Sequence, residues 1–534
     1  MIIQFGDSFA SGESGGWKGN SLNSSGSRGG TDMAAYFDGS KWEYDPYRVY
    51  ENASNGYENL DSWLDECHEA LSASIQRIRE AHPGDYVNID NWACSGAKSK
   101  NLWPLAAGGE ALKGRAPQIS RAMGENALEA PQTDLKLVVI GVGGNDVGFG
   151  DLIAKCVTAW AKKNIADIAF TPAESQCYDD VWSDNIYNVK NVTSNLSKTI
   201  KQLKQGLASK GHPWGSYRVV INGAPMILPS AEGDWSYSEG SMDGRCFIRR
   251  HDAEWINEHF VTRLNRAMRS VADEEGVGFM DPSEAFIGHR LCESGTVRGS
   301  SASSSSANAE WVRFMDVHLS AESLWAAVKK TGFPFASWPV EDDVADAAMN
   351  SQRHLSESMH PNYYGQQAIG LCLRLYYTNT SGSAHVKCTN GGGENGTTEQ
   401  MRIDALSQTP IYADDPNPDV AIPQTGNMMW RTVSVPAAVT PKQYARVHVD
   451  IMHPRKGQLQ INLVDPLGFS MSLRSCNSGD TGAFAAGTWT FDIPIPLSTV
   501  HPPRDPSGNW SIGIRECDQD SYSGTLRSWK LMLY

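Results

Sequence analysis

Residues 2–13, Ile-Ile-Gln-Phe-Gly-Asp-Ser-Phe-Ala-Ser-Gly-Glu, join a short apolar run to a turn of small residues. Ile2–Phe5 are typical of a buried β-strand, and Gly6–Glu13 allow the chain to turn sharply. Ser8 therefore lies where a strand ends in a turn, a position from which its hydroxyl can face a substrate. A Gly-Asp-Ser turn is also common in loop-rich proteins, so its meaning depends on the rest of the chain.

Strand-like and helix-like patterns alternate over residues 1–380. Short apolar runs predict strands at Ile2–Phe5, Tyr86–Trp92, Leu135–Ile140, Tyr217–Ile221 and Val277–Met280. Apolar residues at three- and four-residue spacing predict helices at Trp63–Ile78, Val192–Leu207 and Asp252–Ala272. This alternation favours an α/β domain with a parallel sheet covered by helices on both faces. Sites in such sheets lie at the carboxyl ends of the strands, and Ser8 follows the first strand.

Composition limits the classes of function. A chain of 534 residues is long enough for two or three domains, and 40% hydrophobic residues suffice for a sizeable core. The net charge of −15 disfavours non-specific binding to nucleic acid or anionic membranes. No apolar run of about 20 residues predicts a membrane span. The sequence starts on a predicted core strand, so an exported protein would have lost its leader.

Shifts in composition divide the chain. Residues 14–60, rich in Gly, Ser, Asn and aromatic residues, and residues 299–309, almost all Ser and Ala, are interpreted as insertions beside the core. Gly, Asn, Thr and Ser dominate residues 381–400, which are predicted to be a linker. Residues 401–534 lose the helical pattern and alternate with the β period, which predicts an all-β sandwich.

The ten cysteines are even in number and spread along the chain, and no two have the close spacing of a zinc site. They are Cys67, Cys94, Cys156, Cys177, Cys246, Cys292, Cys372, Cys388, Cys476 and Cys517. An exported protein with five disulfides is the simplest interpretation, and buried free thiols are the alternative. Sequence does not determine the connectivity, although pairing each cysteine with its next neighbour would give five local loops.

Three further segments place small and polar residues directly after a predicted strand or before a predicted helix, as the Ser8 turn does. Ala93–Ala97 (Ala-Cys-Ser-Gly-Ala) follows the second strand, Gly143–Asp146 (Gly-Gly-Asn-Asp) follows the third, and Met359–Asn362 (Met-His-Pro-Asn) precedes a helix. Each alone would pass for an ordinary turn. Together and in this order they resemble the four blocks of the SGNH (GDSL) hydrolase family, matched at Ser8, Gly96, Asn145 and His360. The resemblance covers about residues 1–378 and is greatest to the secreted, disulfide-bonded actinobacterial-type lipases and esterases.

This resemblance implies a three-layer, flavodoxin-like α/β domain over residues 1–380 that hydrolyses esters. It also implies the disulfides Cys67–Cys94, Cys156–Cys177 and Cys246–Cys292.

The residue types suit this chemistry on physical grounds. A serine hydroxyl is a weak nucleophile at neutral pH and needs a base, and an imidazole such as that of His360 titrates in the required range. Attack on an ester carbonyl creates an oxyanion that needs fixed hydrogen-bond donors. The N–H groups of Ser8 and Gly96 and the side-chain amide of Asn145 are the predicted donors, and glycine at position 96 allows a close approach of the backbone.

The partner that orients His360 is left open. The family often has Asp three residues before the histidine, and here that position is Glu357. Glu357 is the predicted acid partner, and a main-chain carbonyl is the alternative. His354 is the nearest rival base but lacks the Pro-Asn that follows His360. Asp7 is expected to shape the turn, and Asp146 (after Asn145) to stabilise its loop.

Residues 401–534 resemble the P-domain of proprotein convertases, a jelly-roll-like β-sandwich. The segments that carry the resemblance are Val447–Ile451, Gly457–Gly468, Gly508–Ile514 and Gly524–Leu531. The domain could stabilise or pack on the catalytic domain, bind a surface or polymer, or be an inert folding partner. No cofactor is expected, although four aspartates of this region could bind calcium: Asp414, Asp415, Asp419 and Asp505.

The sequence therefore predicts a secreted serine ester hydrolase of the lipase or esterase type, with a small-molecule or lipid ester as substrate. One alternative is an acetyl or acyl esterase that acts on an acylated polysaccharide. The other is a catalytically inactive surface-binding protein, which the complete set of four motif residues disfavours. No nucleic-acid partner is expected.

Overall fold

The structure is a computed structural model that forms two compact units, Met1–Leu406 and Ser407–Tyr534. It describes residues 1–15, 35–37, 42–44, 67–81, 88–124, 128, 133–153, 155–156, 177, 182–231, 235–236, 246–296, 306–314, 358–379, 384–393, 396–406, 411–413, 420–423, 427–436, 444–476, 484–494, 507–517 and 524–533. In this described part, no helix is long and apolar enough to cross a membrane.

The first unit alternates strands and helices along the chain. Its strands are β1 (Ile2–Gly6), β2 (Ala35–Phe37), β3 (Trp42–Tyr44), β4 (Ile89–Asn91), β5 (Leu137–Gly141), β6 (Arg218–Asn222), β7 (Gly278–Asp281), β8 (His385–Asn390) and β9 (Met401–Ala405). Its α-helices are α1 (Ser8–Ser11), α2 (Gln118–Gly124), α3 (Trp182–Ser209), α4 (Arg250–Trp255), α5 (Thr262–Glu275) and α6 (Tyr363–Thr378). A π-helical segment, Ile256–Val261, connects α4 to α5, and short 3₁₀ helices lie at Ser74–Ala81, Ser99–Asn101, Leu105–Ala107 and Thr398–Gln400.

Seven strands form one sheet in the order β4-β1-β5-β6-β7-β8-β9. The strands from β4 to β8 are parallel, and β9 pairs antiparallel with β8 at the edge. Strand β1 lies between β4 and β5, with Ile2 opposite both Ile89 and Leu137. All five residues of β1 are buried because neighbouring layers cover both faces. The predicted α/β class with a mostly parallel sheet is confirmed.

The carboxyl end of β1 is packed tightly against its neighbours. Gly6 donates its N–H to Gln118 Oε1 at 2.9 Å and accepts from Gln118 Nε2 at 2.8 Å. A side chain at position 6 would collide with the carbonyl of Gly141 on β5. The next residue, Asp7, donates its N–H to that same carbonyl at 2.9 Å. Glycine at position 6 therefore brings the turn that follows β1 directly against the end of β5.

Two of the three predicted helical segments are helices. The pattern at Val192–Leu207 lies within α3, and Asp252–Ala272 runs through α4, the π-helical segment and α5. The prediction of a helix at Trp63–Ile78 is wrong over its described part, because Cys67–Ala73 is irregular and a 3₁₀ helix begins only at Ser74. The Cys67–Cys94 disulfide and the bond from Ala70 N–H to Ser11 O hold this stretch against the end of the sheet instead.

The predicted linker at residues 381–400 is also wrong. Strand β8 lies inside it and pairs with both β7 and β9, and the compact units divide only between Leu406 and Ser407. The Cys372–Cys388 disulfide joins β8 to α6. The sequence of β8, His-Val-Lys-Cys-Thr-Asn, is polar because it lies near the edge of the sheet, so its composition resembles that of a loop.

The second unit is built from antiparallel strands. They are β10 (Ile411–Ala413), β11 (Val420–Ala421), β12 (Met429–Val435), β13 (Tyr444–His453), β14 (Leu459–Val464), β15 (Ser470–Arg474), β16 (Phe484–Pro494), β17 (Gly508–Glu516) and β18 (Thr525–Leu533). One sheet has the order β10-β18-β13-β16, with β11 also paired to β18, and the other has the order β12-β17-β14-β15. Alternate residues of both sheets, such as Val447, Ile512 and Trp529, form one buried core, which confirms the predicted sandwich.

Each cysteine pairs with its next neighbour along the chain. The disulfides are Cys67–Cys94, Cys156–Cys177, Cys246–Cys292, Cys372–Cys388 and Cys476–Cys517. The prediction of five bridges is confirmed, and so are the three pairings that the family resemblance implied. Of the two predicted insertions, only residues 14–15, the hairpin β2–β3 and residues 306–309 are described.

Removing the Cys67–Cys94 bridge should destabilise the first unit. The bridge closes a loop with a sequence separation of 27 residues, and the chain-entropy model gives a loss of about 3–4 kcal/mol in the free energy of unfolding. We expect the double variant Cys67→Ala/Cys94→Ala to unfold at a lower urea concentration, as followed by circular dichroism. Ser194→Ala, on the exposed side of α3, is the control with no expected change. An unchanged urea midpoint for the double variant would contradict this role.

Candidate active site

Ser8 is the first residue of the short helix α1, immediately after β1. Asp7 caps this helix because its Oδ1 accepts the N–H of Phe9 at 3.1 Å. Gly12 ends it in the left-handed region, with φ of 94°. A strand that runs directly into a capped turn of helix fixes the Ser8 side chain at the carboxyl end of the sheet, as the sequence predicts.

His360 is brought to Ser8 from the far end of the first unit. Its Nε2 lies 2.7 Å from Ser8 Oγ, and its Nδ1 lies 2.9 Å from the carbonyl oxygen of Ser358. Because a carbonyl can only accept, Nδ1 carries the proton and Nε2 accepts from the Ser8 hydroxyl. Burial lowers the pKa of His360 below that of an ordinary histidine, while Glu13 and the Ser358 carbonyl oppose this shift. The ring is therefore held neutral, with its free lone pair directed at the hydroxyl.

The group that accepts a hydrogen bond from His360 Nδ1 is the main-chain carbonyl of Ser358, which was the predicted alternative to Glu357. Glu357 and the rival base His354 lie outside the described residues. A carbonyl fixes the ring orientation and the tautomer of His360, as a carboxylate would, but it brings no full negative charge.

Two residues that sequence reasoning missed, Arg313 and Gln366, hold the His360 loop and the helix that follows it. Arg313 donates its N–H to His360 O at 2.8 Å and accepts from Met359 N–H at 3.0 Å, so the loop is paired with an irregular segment. Gln366 on α6 donates to Phe9 O at 3.2 Å and accepts from Ser74 N–H at 3.0 Å, which ties α6 to α1. Neither residue belongs to a recognisable pattern, because both contacts join parts of the chain that lie far apart in sequence.

The predicted oxyanion donors come from the ends of three adjacent strands. Gly96 has φ of 81°, a conformation that favours glycine, and Asn145 Nδ2 donates to Ala97 O at 3.1 Å, which joins its loop to that of Gly96. Within the described part of the chain, the N–H groups of Ser8 and Gly96 have no acceptor. Two main-chain N–H groups are thus unpaired among the described residues, and the bond from Asn145 to Ala97 joins the loop of Asn145 to that of Gly96.

Two buried carboxyl groups support these loops. Asp146 accepts the N–H of Ser99 at 2.9 Å and the side-chain amide of Asn195 at 3.2 Å, which are contacts that stabilise a loop. Burial raises the pKa of Asp146. Burial also raises the pKa of Asp7 to about 7, with a further contribution from the charge of Asp146, although backbone N–H groups of Phe9 and Gly143 oppose the shift.

Glu13, the last residue of the opening motif, is a buried acid that the sequence analysis did not assign. Its Oε1 and Oε2 lie 2.8 and 2.9 Å from His68 Nδ1, and its side chain has no exposed area. Burial opposes the ionisation of Glu13, but attraction to His68 and a hydrogen bond with it outweigh burial and lower the pKa to about 2. Glu13 is therefore a carboxylate close to the Ser8–His360 pair.

An apolar cavity opens beside the Ser8 turn. It lies between the ends of β1, β5 and β6 and the helical segments around Phe260. Its lining residues include Phe9, Ala10, Val142, Phe149, Ala224, Ile227, Phe260, Val261, Leu264 and Met268, together with the carboxyl group of Asp7. One lining residue, Phe9, also contacts the catalytic histidine predicted from the sequence, because its ring lies 4.9 Å from the His360 ring.

Comparison with known protein families identifies both units. Residues 61–323 match the GDSL-like Lipase/Acylhydrolase family, and residues 443–533 match the Proprotein convertase P-domain. The chain carries a GDSL-like lipase/acylhydrolase domain followed by a P-domain. The match to the GDSL-like family begins after Ser8 and ends before His360, so the roles of these two residues depend on the geometry.

Similar proteins with curated descriptions match over the P-domain. Furin from Bos taurus is 29% identical over 99 residues, which are 18% of this chain and 12% of furin. The transglutaminase-activating metalloprotease of Streptomyces mobaraensis is 30% identical over 115 residues, which are 21% of this chain and 14% of that protein. The chain thus spans about an eighth of the length of these relatives.

Two solved structures are also similar to this chain. An extracellular lipase from Streptomyces rimosus has 16% identity and a TM-score of 0.34, over 68% of this chain and 94% of that one. Phospholipase A1 from Streptomyces albidoflavus NA297 also has 16% identity and a TM-score of 0.34, over 70% of this chain and 97% of that one.

The raised pKa of Asp7 predicts a pH dependence of stability. An acid whose pKa rises from 3.8 to about 7 on folding stabilises the folded state below pH 3.8, and this contribution is lost as the pH rises to about 7. Asn at position 7 can still cap α1 but does not titrate. We therefore expect wild type to lose more free energy of unfolding than Asp7→Asn between pH 4 and pH 7, as measured by urea unfolding.

The matched control is Asp134→Asn. Asp134 is exposed, and its hydrogen bond with Lys136 lowers its pKa, so removing it should have a small effect of opposite sign. Parallel stability curves for wild type and Asp7→Asn would contradict the assignment of a neutral, buried Asp7.

Proposed function

We propose that the GDSL-like domain is a serine ester hydrolase that works through an acyl-serine intermediate. The observation that carries the proposal is the 2.7 Å contact between Ser8 Oγ and His360 Nε2, which gives a weak nucleophile a base within hydrogen-bond reach. The Ser358 carbonyl directs the lone pair of Nε2 at the hydroxyl by holding the proton on Nδ1. The family match supports ester hydrolysis as the class of reaction.

The proposed reaction proceeds in two steps. The proton of Ser8 Oγ moves to His360 Nε2 while Oγ forms a bond to the carbonyl carbon of the ester, and the carbonyl oxygen becomes an oxyanion. When the carbon–oxygen bond to the alcohol breaks, His360 returns the proton to the leaving oxygen. Water then repeats the sequence on the acyl-serine and releases the acid. The N–H groups of Ser8 and Gly96 and the amide of Asn145 stabilise both oxyanions.

The cavity supports an apolar acyl group as the part of the substrate next to Ser8. Its walls are aliphatic and aromatic, and Phe9 extends from the cavity to the His360 ring. A lining of this kind suits a hydrocarbon chain better than an acetylated sugar. We therefore place fatty-acyl esters ahead of acetylated polysaccharide as substrates.

The five disulfides support function in an oxidising compartment, and we infer that the protein is secreted. The P-domain is proposed as an accessory unit. The four aspartates considered for calcium binding, Asp414, Asp415, Asp419 and Asp505, lie outside the described residues.

Ser8→Ala should lower kcat at least about a thousandfold on nitrophenyl esters, because the acyl-serine cannot form. Asn145→Ala should lower kcat about a hundred- to a thousandfold through loss of one oxyanion donor. Release of nitrophenol measures both, and mass spectrometry of a trapped acyl-enzyme should place the acyl group on Ser8. Wild-type hydrolysis that survives in Ser8→Ala would reject the mechanism, and absence of any hydrolysis in wild type would favour a binding protein.

Filling the cavity should shorten the preferred acyl chain. Ala224→Phe would occupy the end near β6, so kcat/KM for the decanoate ester should fall about tenfold or more while the acetate ester changes less than about twofold. Ala107→Phe is the matched control, because Ala107 is also a partly buried alanine of the same core but does not line the cavity. Equal losses for both esters in Ala224→Phe would show that the acyl chain binds elsewhere.

A further inference from the structure

The positive charge that forms on His360 during the proposed reaction has no carboxylate bonded to Nδ1 to stabilise it in the described residues. When His360 takes the proton of Ser8 it becomes a cation, and in Ser-His-Asp hydrolases a carboxylate on Nδ1 stabilises that cation. Here Nδ1 donates to the neutral carbonyl of Ser358. The ring is partly buried, and this burial penalises its charged form. A negative charge from another part of the fold would lower the free energy of the imidazolium.

Glu13 is placed to provide that charge. Its N–H donates to Ser8 O at 3.1 Å, so it directly follows the turn that holds the nucleophile. Its carboxylate is completely buried, where a charge acts over a longer distance than in water. Attraction to Glu13 is the largest of the effects that favour the charged form of His360, ahead of the Ser358 carbonyl.

His68 holds Glu13 in its ionised form and links it to the loop of Gly96. The residue before His68 is Cys67, which is bridged to Cys94 and accepts the N–H of Ser95 at 3.0 Å. The Ser95 hydroxyl also donates to Glu13. Three segments thus hold the buried carboxylate of Glu13. They are the segment of Ser8, the segment of His68 that is joined by a disulfide to Cys94, and the loop that contains Ser95 and Gly96.

We propose that Glu13 is a positioning residue that stabilises the His360 imidazolium through space, in place of a carboxylate bonded to Nδ1. This inference rests on the proposed ester hydrolysis. Glu13 does not touch the reacting atoms and acts through His360 alone. In the described part of the chain, the charged groups coupled to His360 are Glu13 and, more weakly and with opposite sign, His68. Glu69, next to His68, pairs with Arg115 at 3.3 Å.

The direction in which the acid limb of the pH profile of kcat/KM moves distinguishes this electrostatic role from a structural one. Glu13→Gln keeps the shape of the side chain and removes the charge, so the pKa of His360 falls further and the acid limb of kcat/KM moves to lower pH. We expect kcat to fall about tenfold at the same time. A merely loosened site would admit water, relieve the burial of His360 and move the limb to higher pH.

Two variants control this experiment. His68→Gln removes the group that keeps the buried Glu13 ionised and should move the acid limb to lower pH, in the same direction as Glu13→Gln. Glu69→Gln makes the same change at a neighbouring buried carboxylate and should leave the limb where it is. A limb that stays in place or moves upward in Glu13→Gln, with hydrolysis intact in wild type, overturns the proposal.

A second measurement works without any substrate. Titration of the His360 ring by ¹⁵N NMR in wild type and in Glu13→Gln should show the same downward shift of the pKa. If wild type hydrolyses no ester but the shift is present, the proposed function fails and the coupling between Glu13 and His360 stands. If the pKa does not fall in Glu13→Gln, the coupling itself is rejected, whatever the activity.

Discussion

The hydrogen bond between Ser8 and His360 joins residues that lie 352 positions apart, and the described features of the site depend on it. It requires β1 to lie inside the parallel sheet, so that the turn after β1 opens at the carboxyl edge. It also requires α6 to lie against α1, which Gln366 ensures by bonding to both Phe9 and Ser74. The sheet and α6 must therefore be assembled before the two side chains can meet.

Buried carboxyl groups surround this bond, and they differ in charge because they differ in partners. Glu13 faces the imidazole of His68 and remains ionised, with a pKa of about 2. Asp7 faces backbone N–H groups and the carboxyl of Asp146, so burial dominates and raises its pKa to about 7. One neighbouring base thus decides whether a buried acid carries a charge. The site therefore combines a negative charge on Glu13, which acts on His360, with a titratable group, Asp7, in the wall of the apolar cavity.

The sequence correctly predicted those elements whose structure depends on neighbouring residues in the chain. The strand before Ser8, the alternation of strands and helices, and the β-period of the second unit all predict what the structure shows. The two wrong predictions arose where tertiary contacts override composition. Cys67–Ala73 is held by a disulfide to Cys94, and β8 is a polar strand, next to the edge strand β9, whose composition resembles that of a linker. The sequence allowed a main-chain carbonyl as the partner of His360 but did not identify Ser358. The contacts of Gln366 and Glu13 could not be predicted, because each depends on which distant segment faces it.

All five disulfides close local loops, with sequence separations between 16 and 46 residues, and among them none joins the Ser8 turn to the His360 loop. Only non-covalent packing brings the two together. During synthesis at about 5–20 residues per second, roughly 20 to 70 s would separate the appearance of the nucleophile from that of its base. A partly made or partly exported chain would thus contain Ser8 without the group that activates it. The proposed ester hydrolysis would then be latent until the last helix of the domain docks.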